Sequence, residues 1–115
     1  MAVEARSITF VSDTSGDATG KINACYGKLV GVETVNVVQP TDQWDIAITS
    51  DQGTALFTDT GVGNAANEFI IPTLAGTAGG AAPTEHCYPV AGALNFVLAN
   101  LGSAKTVKVL VYIEC

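Results

Sequence analysis

Charged residues are scarce in this chain of 115 residues. They make up 14% of the sequence, whereas about 25% is usual in soluble domains. Hydrophobic residues reach 48%, and the mean hydropathy is +0.35. So few charged residues cannot cover the surface of a small monomer, and apolar surface therefore remains exposed on it. We therefore expect an obligate assembly in which contacts with other protein chains bury this surface.

The sequence also lacks a cluster of basic residues. Five lysines and arginines stand against eleven acidic residues, and the net charge is −6. Because binding to nucleic acid or to an anionic membrane needs clustered cations, we expect neither as a partner. No apolar run is long enough and free enough of glycine to span a bilayer. The amino terminus lacks the apolar middle region of a secretory signal, so we expect synthesis in a cytoplasm.

Motifs that carry chemistry are missing as well. Cys25, Cys87 and Cys115 are odd in number and far apart, which predicts no closed disulfide framework. We interpret them as small buried hydrophobes, with an intermolecular bridge at Cys115 left open. The single histidine, His86, adjoins Cys87, but neighbours in an extended chain point apart and form no catalytic dyad. These residues also lack the close pairs that anchor zinc.

The segment GVGNAA at 61–66 has the letters of a dinucleotide-binding turn, but no helix follows it. Elsewhere in the chain, Asp13, Asp17, Asp42 and Asp45 flank turns and are interpreted as solvated turn carboxylates. The sequence therefore predicts no metal, no cofactor and no enzymatic activity.

What the sequence does contain is short alternating segments rich in β-branched residues, separated by Gly, Asp and Pro turns. We predict strands at 7–12, 21–26, 28–38, 44–49 and 54–58, with the first two and the last two paired as hairpins. This pattern predicts one all-β domain over 1–115, a compact antiparallel β-sandwich or barrel of about eight short strands.

The last 25 residues are ambiguous. Leu94, Val97, Leu98 and Leu101 have helical spacing, whereas Leu94, Phe96 and Leu98 also have the alternating spacing of a strand. We favour a strand, because the turn at 100–105 and the alternating valines after it suit a hairpin.

Residues 61–87 interrupt the strand pattern and are rich in Gly, Ala and Pro. We predict one long loop or arm there, with a short strand at 69–71. Its low charge favours lying against another protein surface. The candidate protein-contact residues are Trp44, Phe69, Ile71 and Tyr88.

Three segments carry a resemblance to a known family: GKLVGVETV at 27–35, DQWDIAITSDQGTALFTDTGVG at 42–63, and YPVAGALNFVLANLGSAKTVKVLVYIE at 88–114. They resemble small capsid decoration, or cement, proteins of tailed bacteriophages. The resemblance implies a virion protein on the outside of the phage head, commonly a homotrimer, that binds the major capsid protein and strengthens the shell.

Two alternatives stay open. A tail, adaptor or head-completion protein would have the same physical properties but a low copy number. A carbohydrate-binding host-recognition module would use Trp44 and a tyrosine as sugar-stacking groups.

Overall fold

The computed structural model describes residues 3–70 and 88–114, with only the backbone of Ala24, Tyr88 and Pro89. Seven β-strands make up the regular structure of these residues. They are β1 Val3–Val11, β2 Ala18–Val38, β3 Trp44–Thr49, β4 Ala55–Val62, β5 Glu68–Ile70, β6 Tyr88–Ala99 and β7 Thr106–Glu114.

All strand pairs are antiparallel, and the hydrogen-bonded order is β1-β7-β2-β6-β3-β4, with β5 also paired to β2. The 21-residue strand β2 pairs with different strands along its two halves. Its first half pairs with β6, its second half pairs with β7, and only Lys28 and Leu29 pair with both. The strands thus form one continuous hydrogen-bonded sheet that β2 divides into two layers, which we call the first and the second sheet. The first sheet contains β1, β7, the second half of β2, and β5. The second sheet contains the first half of β2, β6, β3 and β4.

The two sheets face each other across one core. The rings of Phe10 in β1 and Phe96 in β6 lie 5.8 Å apart between centroids. In the hydrogen-bonded order these strands are three steps apart, which would separate them by about 14 Å in a flat sheet. The strand path therefore folds over on itself. The antiparallel pairing of all seven strands confirms the predicted all-β antiparallel class. The fold is sandwich-like, and β2 contributes one strand to each of its two layers.

Gly27 allows β2 to pass from one sheet to the other. Its φ of +134° is one that residues with a side chain rarely adopt. A Cβ atom at this position would collide with the carbonyl oxygen of Glu114 in β7. The predicted break at Gly27 is therefore wrong, since the strand continues through it.

The predicted burial patterns are confirmed, but two predicted hairpins are wrong. Trp44, Ile46 and Ile48 are buried in β3, and alternate residues from Val107 to Ile113 are buried in β7. However, β1 pairs with β7 and not with β2, and β6 pairs with β2 and β3 and not with β7. Residues 88–99 form a strand, as favoured. Within the predicted loop at 61–87, residues 61–62 end β4 and residues 68–70 form β5, close to the short strand predicted at 69–71, whereas residues 71–87 lie outside the described residues.

Candidate functional site

The outer face of the first sheet presents a row of side chains that cross four strands. Because the odd-numbered residues of β7 are buried, its even-numbered residues point outward. Cross-strand register places Leu110 beside Ser7 on one side and Glu33 on the other, and Glu33 beside Phe69 of β5. In the adjacent row, Tyr112 lies beside Gly31.

Phe69 is an exposed aromatic residue of this surface. Its side chain is 58% accessible to solvent, although its ring lies 5.4 Å from that of Tyr112 between centroids, at an interplanar angle of 49°. The ring also lies over Gly31, where an added Cβ would approach Phe69 Cζ to 2.7 Å. The missing side chain at Gly31 is therefore what lets the two rings meet.

A hydrogen bond links the Tyr112 ring to the carboxylate of Glu33, which belongs to this row. The Tyr112 hydroxyl donates to Glu33 Oε1 at 2.7 Å, and this bond raises the pKa of Tyr112 above its ordinary value. Glu33 Oε1 thus already accepts a hydrogen bond from within the chain. We call Gly31, Glu33, Phe69, Leu110 and Tyr112 the aromatic patch. It offers exposed ring surface with its polar groups already partly paired, which suits burial against another protein.

The four predicted contact residues have different positions. Phe69 lies in the aromatic patch. Trp44 is buried completely among core residues, so its prediction as a surface contact is wrong, and the carbohydrate alternative loses its named stacking group. Ile71 lies outside the described residues. For Tyr88 only the backbone is described, and it pairs with Leu29.

A polar groove of about 550 Å³ lies at one end of the second sheet. Its lining combines hydroxyl, amide and carboxylate groups with one glycine: Thr41, Asp42, Gln43, Asp45, Thr60, Asn100 and Gly102. Asn100 Nδ2 donates to Asp45 Oδ2 at 2.6 Å, and the backbone N–H of Gln43 donates to Asp42 Oδ1 at 2.8 Å. No aromatic ring is among these lining residues, so the groove has hydrogen-bonding groups but no stacking platform.

Reactive groups are few in the part of the chain that the structure describes. Cys25 is a free thiol with a side chain that is almost wholly buried. Burial raises the pKa of this thiol, against the opposing effect of the nearby Arg6 guanidinium. A raised pKa disfavours the nucleophilic thiolate. Within residues 3–70 and 88–114, no three acidic, cysteine or histidine side chains cluster as metal ligands, and no helix is long and apolar enough to span a membrane.

Comparison with known proteins identifies relatives by fold alone. No family model and no curated protein matches the sequence. The lectin-binding domain of lectinolysin, solved with Lewis b, is similar over 93% of this chain and 71% of its own, at a TM-score of 0.54 and 8% identity. The subunit of disulfide-linked pili that form Bacillus endospore appendages is similar over 98% of this chain and 87% of its own, at a TM-score of 0.53 and 11% identity.

A viral capsid protein was also matched. The extra small virus of the prawn Macrobrachium rosenbergii supplies a structure that aligns with 100% of this chain and 81% of its own, at 13% identity. Its TM-score of 0.33 is too low to support a structural argument. The fold of this chain is thus one that other proteins use in both a lectin domain and a pilus subunit.

Proposed function

We propose that this chain is a structural virion protein that decorates the outside of a tailed-phage head and stabilises the shell through protein–protein contacts, without catalysis. In this role it would associate with itself, as the homotrimer implied by the family resemblance, and with the major capsid protein. The observation that carries the proposal is the aromatic patch, in which Phe69 is 58% exposed to solvent on the outer face of the first sheet.

The energetics of the aromatic patch agree with a lattice role. Full burial of one large apolar side chain contributes about 1.5–3 kcal/mol, which is too little for a tight one-to-one complex. On a capsid, however, contacts made by linked copies multiply through effective concentration. A weak patch repeated over a lattice is therefore sufficient. The pilus subunits that share this fold are also parts of an assembly, so the fold is compatible with such a role.

The decisive experiment measures binding to phage heads that lack the chain. Phe69→Ser should weaken binding by about tenfold or more, because it removes the exposed ring from the contact. Val97→Ser is the matched control, since Val97 is 51% exposed but lies on β6 in the second sheet. Circular dichroism establishes that both variants are folded. Equal binding by the two variants would refute the proposal.

A second variant tests the aromatic patch without removing its aromatic groups. Gly31→Ala places a methyl group against the ring of Phe69, which has to move because its Cζ lies only 2.7 Å from the added Cβ position. We expect weaker capsid binding than for the wild type, with the fold retained, because a flexible side chain can give way.

Copy number separates the proposal from its nearest alternative. Quantitative mass spectrometry of purified virions should find copies of the chain in proportion to the major capsid protein. A tail, adaptor or head-completion protein would instead be present in one small ring. A ring-sized copy number would therefore replace the decoration role with that alternative.

A further inference from the structure

The two end strands of the hydrogen-bonded order differ in how well they are protected against pairing with another chain. In β4, register shifts place extra residues opposite Trp44–Ile46 and Ile48–Thr49, so two bulges interrupt that edge. In β1, by contrast, all nine residues pair with β7 without a shift. Regular, unbulged edges without proline are templates for another strand. Among the described strands, β1 is therefore the long edge that no bulge interrupts.

The side chains of β1 make this edge complementary to itself. Val3 and Val11, near its two ends, are 56% and 63% exposed. An antiparallel pair of β1 strands centred on Ser7 would place Val3 of each copy opposite Val11 of the other, on the outer face of the sheet. Ala5 would lie opposite Thr9. No like charges meet in this register, and all nine residues take part.

A second register, centred on Ala5, would place Glu4 opposite Arg6 of the other copy. Arg6, however, is already engaged: its guanidinium lies 3.5 Å from Glu4 Oε1 and donates to the Asn23 carbonyl at 3.0 Å. That register would also overlap only the first part of β1. The arrangement centred on Ser7 leaves these contacts of Arg6 intact.

We propose that β1 is a self-association surface, and that two copies of this chain join their first sheets through antiparallel β1–β1 pairing with a two-fold axis at Ser7. The partner is a second copy of the same chain, held by backbone hydrogen bonds along the edge and by two Val3–Val11 contacts. The inference deepens the proposed assembly role and rests on it. It uses a different surface from Phe69, which lies three strands away in the same row.

Disulfide trapping tests the register directly. Opposed residues at the axis have Cα atoms about 4.5–5.5 Å apart, within reach of a disulfide. Ser7→Cys should therefore give a covalent dimer under mild oxidation, linked at the substituted position in peptide mass spectrometry. Ala5→Cys should not, because its two copies would lie about 13 Å or more apart along the strands. The wild type, which retains its own cysteines, supplies the background.

Charge variants test the contact without oxidation. In light scattering at high concentration the wild type should have twice the monomer mass of 11.8 kDa, or six times that mass where the proposed homotrimers are joined in pairs through β1. Val3→Lys combined with Val11→Lys opposes like charges twice and should raise the dissociation constant by about tenfold or more. Val3→Glu combined with Val11→Lys should restore pairing. Val97→Lys is the control for adding charge at an exposed valine elsewhere.

The inference would be overturned if Ser7→Cys stays uncrosslinked, or if the double-lysine variant associates like the wild type. A free chain that is monomeric, with β1 protected from hydrogen exchange only on capsids, would also overturn it and assign the edge to a capsid strand. Capsid binding by Phe69→Ser is measured separately, so failure of the β1 contact and failure of the decoration role are distinguishable.

Discussion

Replacement of Gly27 by alanine should destabilise the fold far more than the same replacement at Gly53. Both glycines have positive φ, +134° and +85° respectively. They differ in their surroundings, because nothing lies within 4 Å of an added Cβ at Gly53. At Gly27 the added atom would collide with the Glu114 carbonyl. Comparison of Gly27→Ala with Gly53→Ala therefore separates the energetic cost of the backbone conformation from that of the collision.

The magnitudes follow from these two costs. A positive φ lowers the free energy of unfolding by about 1–2 kcal/mol when the residue has a side chain. Replacing glycine also restricts the unfolded chain, which raises the free energy of unfolding by about 0.4–1 kcal/mol. Gly53→Ala should thus cost about 1 kcal/mol. At Gly27 the Glu114 carbonyl must also move away from its pairing with Lys28. Two backbone hydrogen bonds lost there, at about 1 kcal/mol each, bring the total to about 3 kcal/mol.

Urea unfolding followed by the fluorescence of Trp44, the single tryptophan, provides the measurement. Both variants and the wild type are compared at one protein concentration, because association adds to apparent stability. We expect Gly27→Ala to lose about 2 kcal/mol more than Gly53→Ala. Equal losses would refute the reasoning, since β2 would then pass between the sheets without needing the space at Gly27.

Three further predictions concern single side chains. Trp44 should be shielded from both acrylamide and polysaccharides, because it is fully buried; quenching of its fluorescence by a polysaccharide would contradict this. The hydrogen bond to Glu33 raises the pKa of Tyr112 above 10.0, so its stabilising effect is complete below pH 10 and is lost as pH rises through the folded-state value. Relative to Tyr112→Phe, the wild type should therefore keep its full urea resistance up to about pH 10 and lose it only as the pH rises further. Cys25 should react with a thiol reagent only after unfolding, because it is buried and its pKa is raised; peptide mapping of the labelled thiols checks this, and rapid labelling of Cys25 in the folded protein would contradict it.

The burial of side chains was predictable because it depends on a local pattern. In a strand, alternate residues face opposite sides, so Ile46 and Ile48 define the buried face of β3 from sequence alone. The same alternation places Trp44 on that buried face. Its prediction as a contact residue came from its aromatic character and disregarded this pattern.

Strand pairing was not predictable in the same way. The alternation of buried and exposed residues in β1 is the same whether its neighbour is β2 or β7. The prediction therefore paired β1 with the segment that follows it in the chain. The structure instead pairs Val3 with Glu114, across almost the whole chain. The aromatic patch depends on that pairing as well as on the pairing of β5 with β2. No local signal links Phe69 to Gly31 or to Tyr112, because each belongs to a different strand and only the register brings them together.

The distribution of charge favours the first sheet over the polar groove as the contact surface. The groove contains the carboxylates of Asp42 and Asp45, and covering it with another protein would remove them from water at a cost that only well-placed cations could offset. The chain has five cations against eleven acidic residues, so a second copy cannot readily supply them. At the aromatic patch, by contrast, Glu33 already accepts the Tyr112 hydroxyl, and burial of Phe69 removes mainly apolar surface. Assembly through the first sheet would therefore leave Asp42 and Asp45 hydrated, where their charge would keep the assembled surface in contact with water.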